Sequence, residues 1–270
     1  MDEPRSLIHR FQDGALWRWI LIVPSALLFA IFALPLAALV MRSFSSDFVS
    51  SALSTQALQA LSLSLVTSTI TTLLAVVLGT PLAYLLARST SPRRAWIELM
   101  LDLPIVLPPS VAGLALLIAF GRNGLFGPAL SLVGASLPFT TAAVVVAQTF
   151  VAAPLYVRSA RIGFVEVQQE LTEAAHVEGA NTWQLFREVM IPIAGRVLVS
   201  GAILTWTRAL GEFGATILFA GNLEGITQTM PMAIYLGFER NLNVAMALAV
   251  VLIVVSAALL ALTRQLERRP

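Results

Sequence analysis

The chain has 270 residues, 57% of them hydrophobic and only 12% charged, with a mean hydropathy of +0.83. Soluble domains carry roughly 45–50% apolar and about 25% charged residues, so the composition excludes an ordinary soluble domain and indicates a membrane protein. A formal charge of +2 is too small to argue for nucleic acid despite a pI near 9.7, and the absence of cysteine removes disulfides, thiolate metal sites and thiol redox chemistry.

Residues 1–18 form a polar tail with Arg5, Arg10 and Arg18. The apolar run 19–40 comes next. A cleaved signal peptide has an apolar core of about 7–15 residues. This run is longer and more spans follow, so it reads as a retained first helix, about 33 Å long at ~1.5 Å per residue against a ~30 Å hydrocarbon core. Further spans are expected at 61–86, 99–120, 139–157, 197–220 and 244–262, which makes an all-α chain with one transmembrane domain over 19–262. A polar interval at 158–196 separates the fourth and fifth spans, and 263–270 is a second tail.

All 17 basic residues are arginine. No phosphate-binding G-x-x-x-x-G-K-S/T loop can therefore be written, and nucleotide energy, if used, is released by another chain. The arginines also orient the chain. With residue 1 inside, the cytoplasmic segments hold Arg5, Arg10, Arg18, Arg88, Arg93, Arg94, Arg158, Arg161, Arg187, Arg196, Arg264, Arg268 and Arg269. The opposite side holds Arg42, Arg122 and Arg240. That asymmetry predicts both termini and the 158–196 loop in the cytoplasm.

The second span carries Ser62, Ser64, Thr67, Ser68, Thr69, Thr71 and Thr72, which read as close helix packing rather than anion binding. The third crowds Pro104, Pro108 and Pro109 into its first half, with Gly113 after them. Proline kinks helices and frees carbonyls. The stretch is either an entry segment followed by a shorter helix or a kink that shapes a pore.

In the 158–196 loop, 165–178 contains no Gly or Pro, and Glu166, Glu170 and Glu173 fall on one helical face. Gly179 suits a helix stop at positive φ, and Asn181 is a good N-cap for a second helix over 182–191. Leu185, Val189 and either Trp183 or Phe186 form its apolar side, and Pro192 ends or starts an element. The expectation is two short helices joined at a glycine corner. Such a pair either rests on its own membrane domain or docks another protein.

The pattern Glu173-Ala174-Ala175, three residues, Gly179, nine residues, then Val189-Met190-Ile191-Pro192 resembles the cytoplasmic loop of importer-type ABC-transporter permeases. That family commonly has Ile and Leu where this chain has Val189 and Ile191. The likeness covers most of 61–262, and the loop's place between the fourth and fifth spans fits. It implies a six-helix permease fold in the inner membrane of a prokaryote, forming a homodimer. Glu173, Ala174, Ala175, Gly179, Val189, Ile191 and Pro192 would couple to two cytoplasmic ATPase subunits that use ATP and Mg. An extracytoplasmic binding protein would deliver the solute. No cofactor, metal or catalytic residue is expected in this chain, and no nucleic-acid partner.

The fifth span places Thr205, Arg208, Glu212 and Thr216 at helical spacing. Charges at mid-bilayer usually face a bundle interior or a water-filled path. The stripe, with Pro108 and Pro109, is the candidate translocation pathway or gate; alternatively Arg208 and Glu212 only neutralise each other. The stretches 208–222, 227–235, 107–113 and 121–124 resemble permeases for tetrahedral oxyanions, molybdate or tungstate first and sulfate or thiosulfate next. An ion-coupled secondary transporter with Glu212 as proton carrier is the rival, but the sequence shows no inverted repeat. His9 and His176 stand at no catalytic or metal-ligand spacing.

Overall fold

The computed structural model describes residues 15–43 and 48–267. Most of the expected 1–18 tail, with Arg5, His9 and Arg10, and also Arg268 and Arg269 lie outside the described residues. The described elements are all helical. They are α1 (Ala15–Ser43), α2 (Phe48–Ala52), α3 (Thr55–Arg88), α4 (Arg93–Val106), α5 (Pro109–Phe120), α6 (Gly127–Leu132) and α7 (Thr141–Val165), followed by α8 (Gln169–Val177), α9 (Thr182–Gln184), a π-helical turn (Leu185–Met190), α10 (Ile191–Leu210), α11 (Gly214–Phe219), α12 (Met230–Arg240) and α13 (Leu242–Glu267).

Among the described residues five helical stretches are long and apolar enough to cross a membrane, and the bent pair α4–α5 brings the number to six if it counts as one span. The expected third span, 99–120, is thus not straight: α4 and α5 meet at 115°. The cause is local. Pro108 and Pro109 carry no N–H, Leu107 is pushed to extended backbone, and Pro109 takes the first turn of α5, where a missing donor costs nothing. The expected fifth span, 197–220, also breaks. It ends at Leu210, and α11 restarts at Gly214.

The core is a three-helix junction of α3, α7 and α10, and small residues set its spacing. A Cβ on Gly79 of α3 would lie 2.9 Å from the Tyr156 ring of α7, and one on Gly201 of α10 would lie 2.7 Å from Ser159 Cβ of α7. Close approach of backbones through small residues is the usual basis of helix association in lipid, where apolar transfer supplies little drive. The Tyr156 hydroxyl hydrogen-bonds Thr80 at 2.6 Å, so a polar tip satisfies a buried partner at the same crossing. Ser64, Thr67, Ser68 and Thr71 of α3 are fully buried. Thr67 donates to its own helix at Leu63, and Thr71 reaches Gln148 of α7, the packing role the sequence suggests. By contrast α1 buries none of its apolar stretch within the chain.

Gly79→Val should therefore force the α3–α7 crossing apart, costing about 1–3 kcal/mol as an overpacked core site does. Thermal unfolding in detergent should show a clearly lowered midpoint. Gly195→Ala, where an added Cβ meets nothing within 4 Å, should leave it unchanged or slightly raised.

Candidate functional site

The 158–196 loop is built around Gly179. At the end of α8 the Ala180 N–H reaches back to Ala175 O at 2.9 Å and the Gly179 N–H to His176 O at 3.0 Å. This is the paired bonding of a Schellman stop, which needs a residue at positive φ in the place Gly179 occupies with φ 87°. A Cβ there would meet no neighbour, so conformation alone demands glycine. Asn181 caps the next helix. Its side chain accepts from Gln184 N–H at 2.9 Å while the Gln184 side chain accepts from Asn181 N–H at 2.9 Å.

Two expectations change here. Glu166 caps the end of α7 and does not continue the face of Glu170 and Glu173, because α8 begins only at Gln169. The second loop helix is not a separate short piece either. It runs through the π-turn into α10 as one helical rod, Thr182–Leu210. In that turn the Ile191 N–H bonds Phe186 O, five residues back. The widened turn sits directly before Pro192, whose ring would otherwise crowd the preceding carbonyls and which can offer no N–H.

The rod is anchored from below. Leu185 and Met190 are buried with Leu86, Tyr156 and Phe164, and Ala175, Phe186 and Val189 pack on the same cluster. Phe186 meets Tyr84 edge-on at 4.9 Å and Phe164 at 6.2 Å. Phe186 rather than Trp183 thus completes the apolar side; Trp183 is 64% exposed. The opposite surface offers Glu170, Glu173, Ala174, His176, Val177 and Gly179, all exposed. Ile191 is half-buried and Pro192 exposed at the start of α10.

At the other end of α10 the chain breaks over 211–213, and Glu212 ties the break together. Its carboxylate accepts from Arg208 Nη1 at 2.6 Å and from the Ala215 N–H at 2.9 Å. The second bond satisfies an orphan donor in the first turn of α11, where negative charge also suits the helix dipole. Glu212 is buried, with its side chain 2% exposed, whereas that of Arg208 is 35% exposed. Thr216 turns its hydroxyl back to Phe213 O at 2.9 Å. Thr205 is buried, and its hydroxyl has no partner among the described residues. The four expected pathway residues therefore do not share one straight helix face; Thr205 and Arg208 belong to α10 and Thr216 to α11. The prolines come close to them. A Cβ on Gly214 would lie 2.6 Å from Pro109 Cβ, so the α5 start and the α11 start touch backbone to backbone, while Pro108 and Pro109 keep exposed surface.

Sequence reasoning passed over Gln148. It is fully buried, accepts from Thr71 at 3.2 Å, and leaves its Nε2 unpartnered among the described residues. A lone amide inside an apolar span was the available signal. The 227–231 stretch also gains local roles. Thr227 accepts from Leu223 N–H at 2.9 Å, Gln228 accepts from Gln56 at 2.9 Å, and Ser64 accepts from Met230 N–H at 2.7 Å, tying the segment before α12 to α3. Among the described residues no three His, Asp or Glu side chains converge as a metal site would require.

Comparison with known proteins places these features in a family. Residues 75–270 match the model for "Binding-protein-dependent transport system inner membrane component". A probable transport system permease protein of Clostridium pasteurianum is 38% identical over 241 residues, covering 89% of this chain and 84% of that protein. A molybdenum transport system permease protein of Mycobacterium tuberculosis is 39% identical over 89% of this chain and 90% of its own length. A probable sulfate transport system permease protein of Chlorokybus atmophyticus is 34% identical, over 83% and 79%. Among solved structures, a bacterial ABC transporter importing the acidic polysaccharide alginate shares the fold with a TM-score of 0.75 at 18% identity, covering 98% of this chain and 99% of that one. The MetNI methionine ABC transporter follows with a TM-score of 0.61 at 20% identity, over 78% and 94%. The chain belongs to the binding-protein-dependent ABC importer permeases, multi-pass components of the inner membrane.

Proposed function

We propose that two copies of this chain form the membrane pore of an importer for a tetrahedral oxyanion, molybdate or tungstate, driven by two ATPase subunits docked on the α8 surface. The observation that carries the coupling half of this reading is the loop's construction: an exposed α8 tip, joined by a Schellman corner and an aromatic anchor to the helical rod that carries Arg208 and ends at Leu210. Glu173, Ala174, Ala175 and Gly179 form the tip, and Val189, Ile191 and Pro192 join it to α10. The arginine asymmetry supports cytoplasmic placement of this surface and of both termini.

The cargo half rests on relatives that are molybdenum permeases at 35–39% identity, against 34% for the sulfate permease. An extracytoplasmic binding protein delivers the anion; one of the structural neighbours is an alginate transporter in complex with its substrate-bound periplasmic protein. The ATPases close on ATP and Mg, draw the two tips together, and turn the pore outward; hydrolysis resets it. Thr205, Arg208, Glu212 and Thr216, with Pro108 and Pro109, stand where α5, α10 and α11 meet and form the gate region. Arg208 attracts the anion transiently while its bond to Glu212 prevents a deep trap, since a permeation path must also release what it binds. Uptake by proteoliposomes holding the chain, its ATPase and its binding protein should follow molybdate and tungstate, with sulfate a weak competitor; equal or stronger sulfate transport would move the assignment to a sulfate permease.

Gly179→Pro cannot hold φ 87°, because proline fixes φ near −65°. It should lower ATP-driven uptake by at least about tenfold, equivalent to ~1.4 kcal/mol of lost coupling, while the α3–α7–α10 core keeps its thermal midpoint. Glu173→Lys should act the same way through the docking surface. Parental transport in both variants would refute the coupling role.

Glu212→Gln retains an acceptor for the Ala215 N–H and removes the charge opposite Arg208. Breaking one side of such a desolvated pair costs about 3–5 kcal/mol at full burial, less here because Arg208 is a third exposed. A lowered thermal midpoint with residual uptake that still requires ATP is expected. Uptake by the parent chain driven by an ion gradient without ATP, and abolished by Glu212→Gln, would instead support secondary transport.

A further inference from the structure

Two cavities meet on the side of the core that α4 covers. One, of about 300 Å³, is apolar and lies between α3, α4 and α7, lined by Leu74, Leu78, Met100, Pro104, Phe150 and Val157 among others. The second is polar, lined by Glu98, Asp102, Arg158 and Arg161, and it shares Leu101, Pro154 and Val157 with the first. An apolar slot thus runs directly into a charged mouth.

The mouth is lined by two carboxylates and two guanidiniums, and Arg94 adds a third positive charge through Glu98. Glu98 is already shared, by Arg94 at 2.7 Å and Arg161 at 3.0 Å. Arg158 is exposed and has no ion pair among the described residues, although Asp102 lines the same mouth. Arg93 adds a further positive charge at the start of α4. The slot opens sideways, where Leu78 is 64% and Met100 55% exposed. Trp96 on α4 is 69% exposed, a residue type that gathers at membrane interfaces. With its charged face and its 115° angle to α5, α4 has the character of a helix lying in the interface plane.

We infer that this composite pocket holds one anionic phospholipid of the leaflet bordering the coupling loop, an acyl chain in the α3–α4–α7 slot and its phosphate on Arg158. Which leaflet that is rests on the proposed orientation; the binding itself does not. With Arg94 counted the mouth carries one surplus positive charge, which favours a headgroup of net negative charge over a zwitterionic one. The lipid wedges between α4 and α7, and α7 leads directly into the coupling loop.

The test uses the delipidated full chain in detergent, without ATPase or binding protein. Native mass spectrometry after adding phosphatidylglycerol should show one retained lipid per chain, with a raised thermal midpoint. Phosphatidylcholine and inorganic phosphate should do neither. Arg158→Gln should weaken phosphatidylglycerol retention about fivefold, the effect of one interfacial arginine. Met100→Trp, which fills the slot, should abolish it, and Arg240→Gln at the opposite end of the bundle should leave it intact. Unchanged retention in Arg158→Gln would overturn the inference. So would full competition by inorganic phosphate, or a Met100→Trp variant that loses dimer while keeping the lipid, which would make the slot a contact between copies. Because no transport is measured, failure here would leave the importer reading untouched, and failure of the importer reading would leave the lipid result standing.

Discussion

Hydrocarbon cannot hydrogen-bond to a backbone, so every interruption of a membrane helix has to be repaired by the protein itself. In this chain the repair at 211–213 depends on the Glu212 carboxylate, which holds the Arg208 guanidinium with one oxygen and the Ala215 N–H with the other. Without that repair α11 would begin with an unsatisfied first turn, and Arg208 would be a half-buried charge with no counterion. The contact of Gly214 with Pro109 adds a second lock, since it lets the broken end of α10–α11 lean on the broken end of α4–α5. Two interruptions thus share one set of satisfied groups.

The position of this clasp relative to the loop gives it mechanical meaning. From Thr182 to Leu210 the chain is one helical rod, about 43 Å long at ~1.5 Å per residue, more than the ~30 Å hydrocarbon core. Its lower end is capped by the Asn181–Gln184 box and fixed to α3 by the packing of Phe186 on Tyr84, while Ala175 of α8 packs on the same cluster. Its upper end carries Arg208. A displacement of the tip by a docked partner is transmitted along the rod without an intervening hinge other than the π-turn at 185–190, which tolerates a small change of register more easily than an α-turn does. This is the physical content of coupling in the proposed importer, and it makes the fifth helix the natural carrier.

Much of this was legible in the sequence. Long apolar runs flanked by arginine announce spans, because lipid allows little else, and Gly179 directly after the helix-forming run 165–178 announces a left-handed stop. The importer-permease likeness of the loop rests on residue types with strict backbone demands, Gly179 foremost, which takes the positive φ expected of it. The misreadings have a common origin. Glu212 and Arg208 have ideal i, i+4 spacing, so the sequence reads as one helix through 197–220, yet Gly211 and Gly214 bracket a break that tertiary contacts with Pro109 reward. Likewise Val165–Glu178 contains no breaker, and the three residues between α7 and α8 unwind because the chain must turn at the membrane surface. Periodicity reports which faces are apolar; it is silent on where a neighbour makes stopping favourable. Gln148 was missed because its role lies in a contact with Thr71, 77 positions away in the chain.

The distribution of polarity finally argues about where selectivity resides. The buried polar groups of the junction, Thr67, Thr71, Gln148 and Thr205, are packed between α3, α7 and α10 and are not open to solvent. Arg208, the basic side chain at the end of α10, is already bound to Glu212. A site that held a doubly charged oxyanion tightly would need several free donors converging on one point, as helix N-termini and unpaired arginines provide in true anion sites. Thr67 and Thr71 spend their hydroxyls on the protein itself, and Thr205 Oγ1 and Gln148 Nε2, unpartnered among the described residues, are neutral donors without a charge to offer. In the proposed importer, discrimination between oxyanions would then belong to the delivering protein, and the membrane chain would contribute a path with a weak, internally balanced charge. A pore organised this way can be driven hard by its coupling loop, because nothing in its interior has to be torn from the cargo before the cargo can leave.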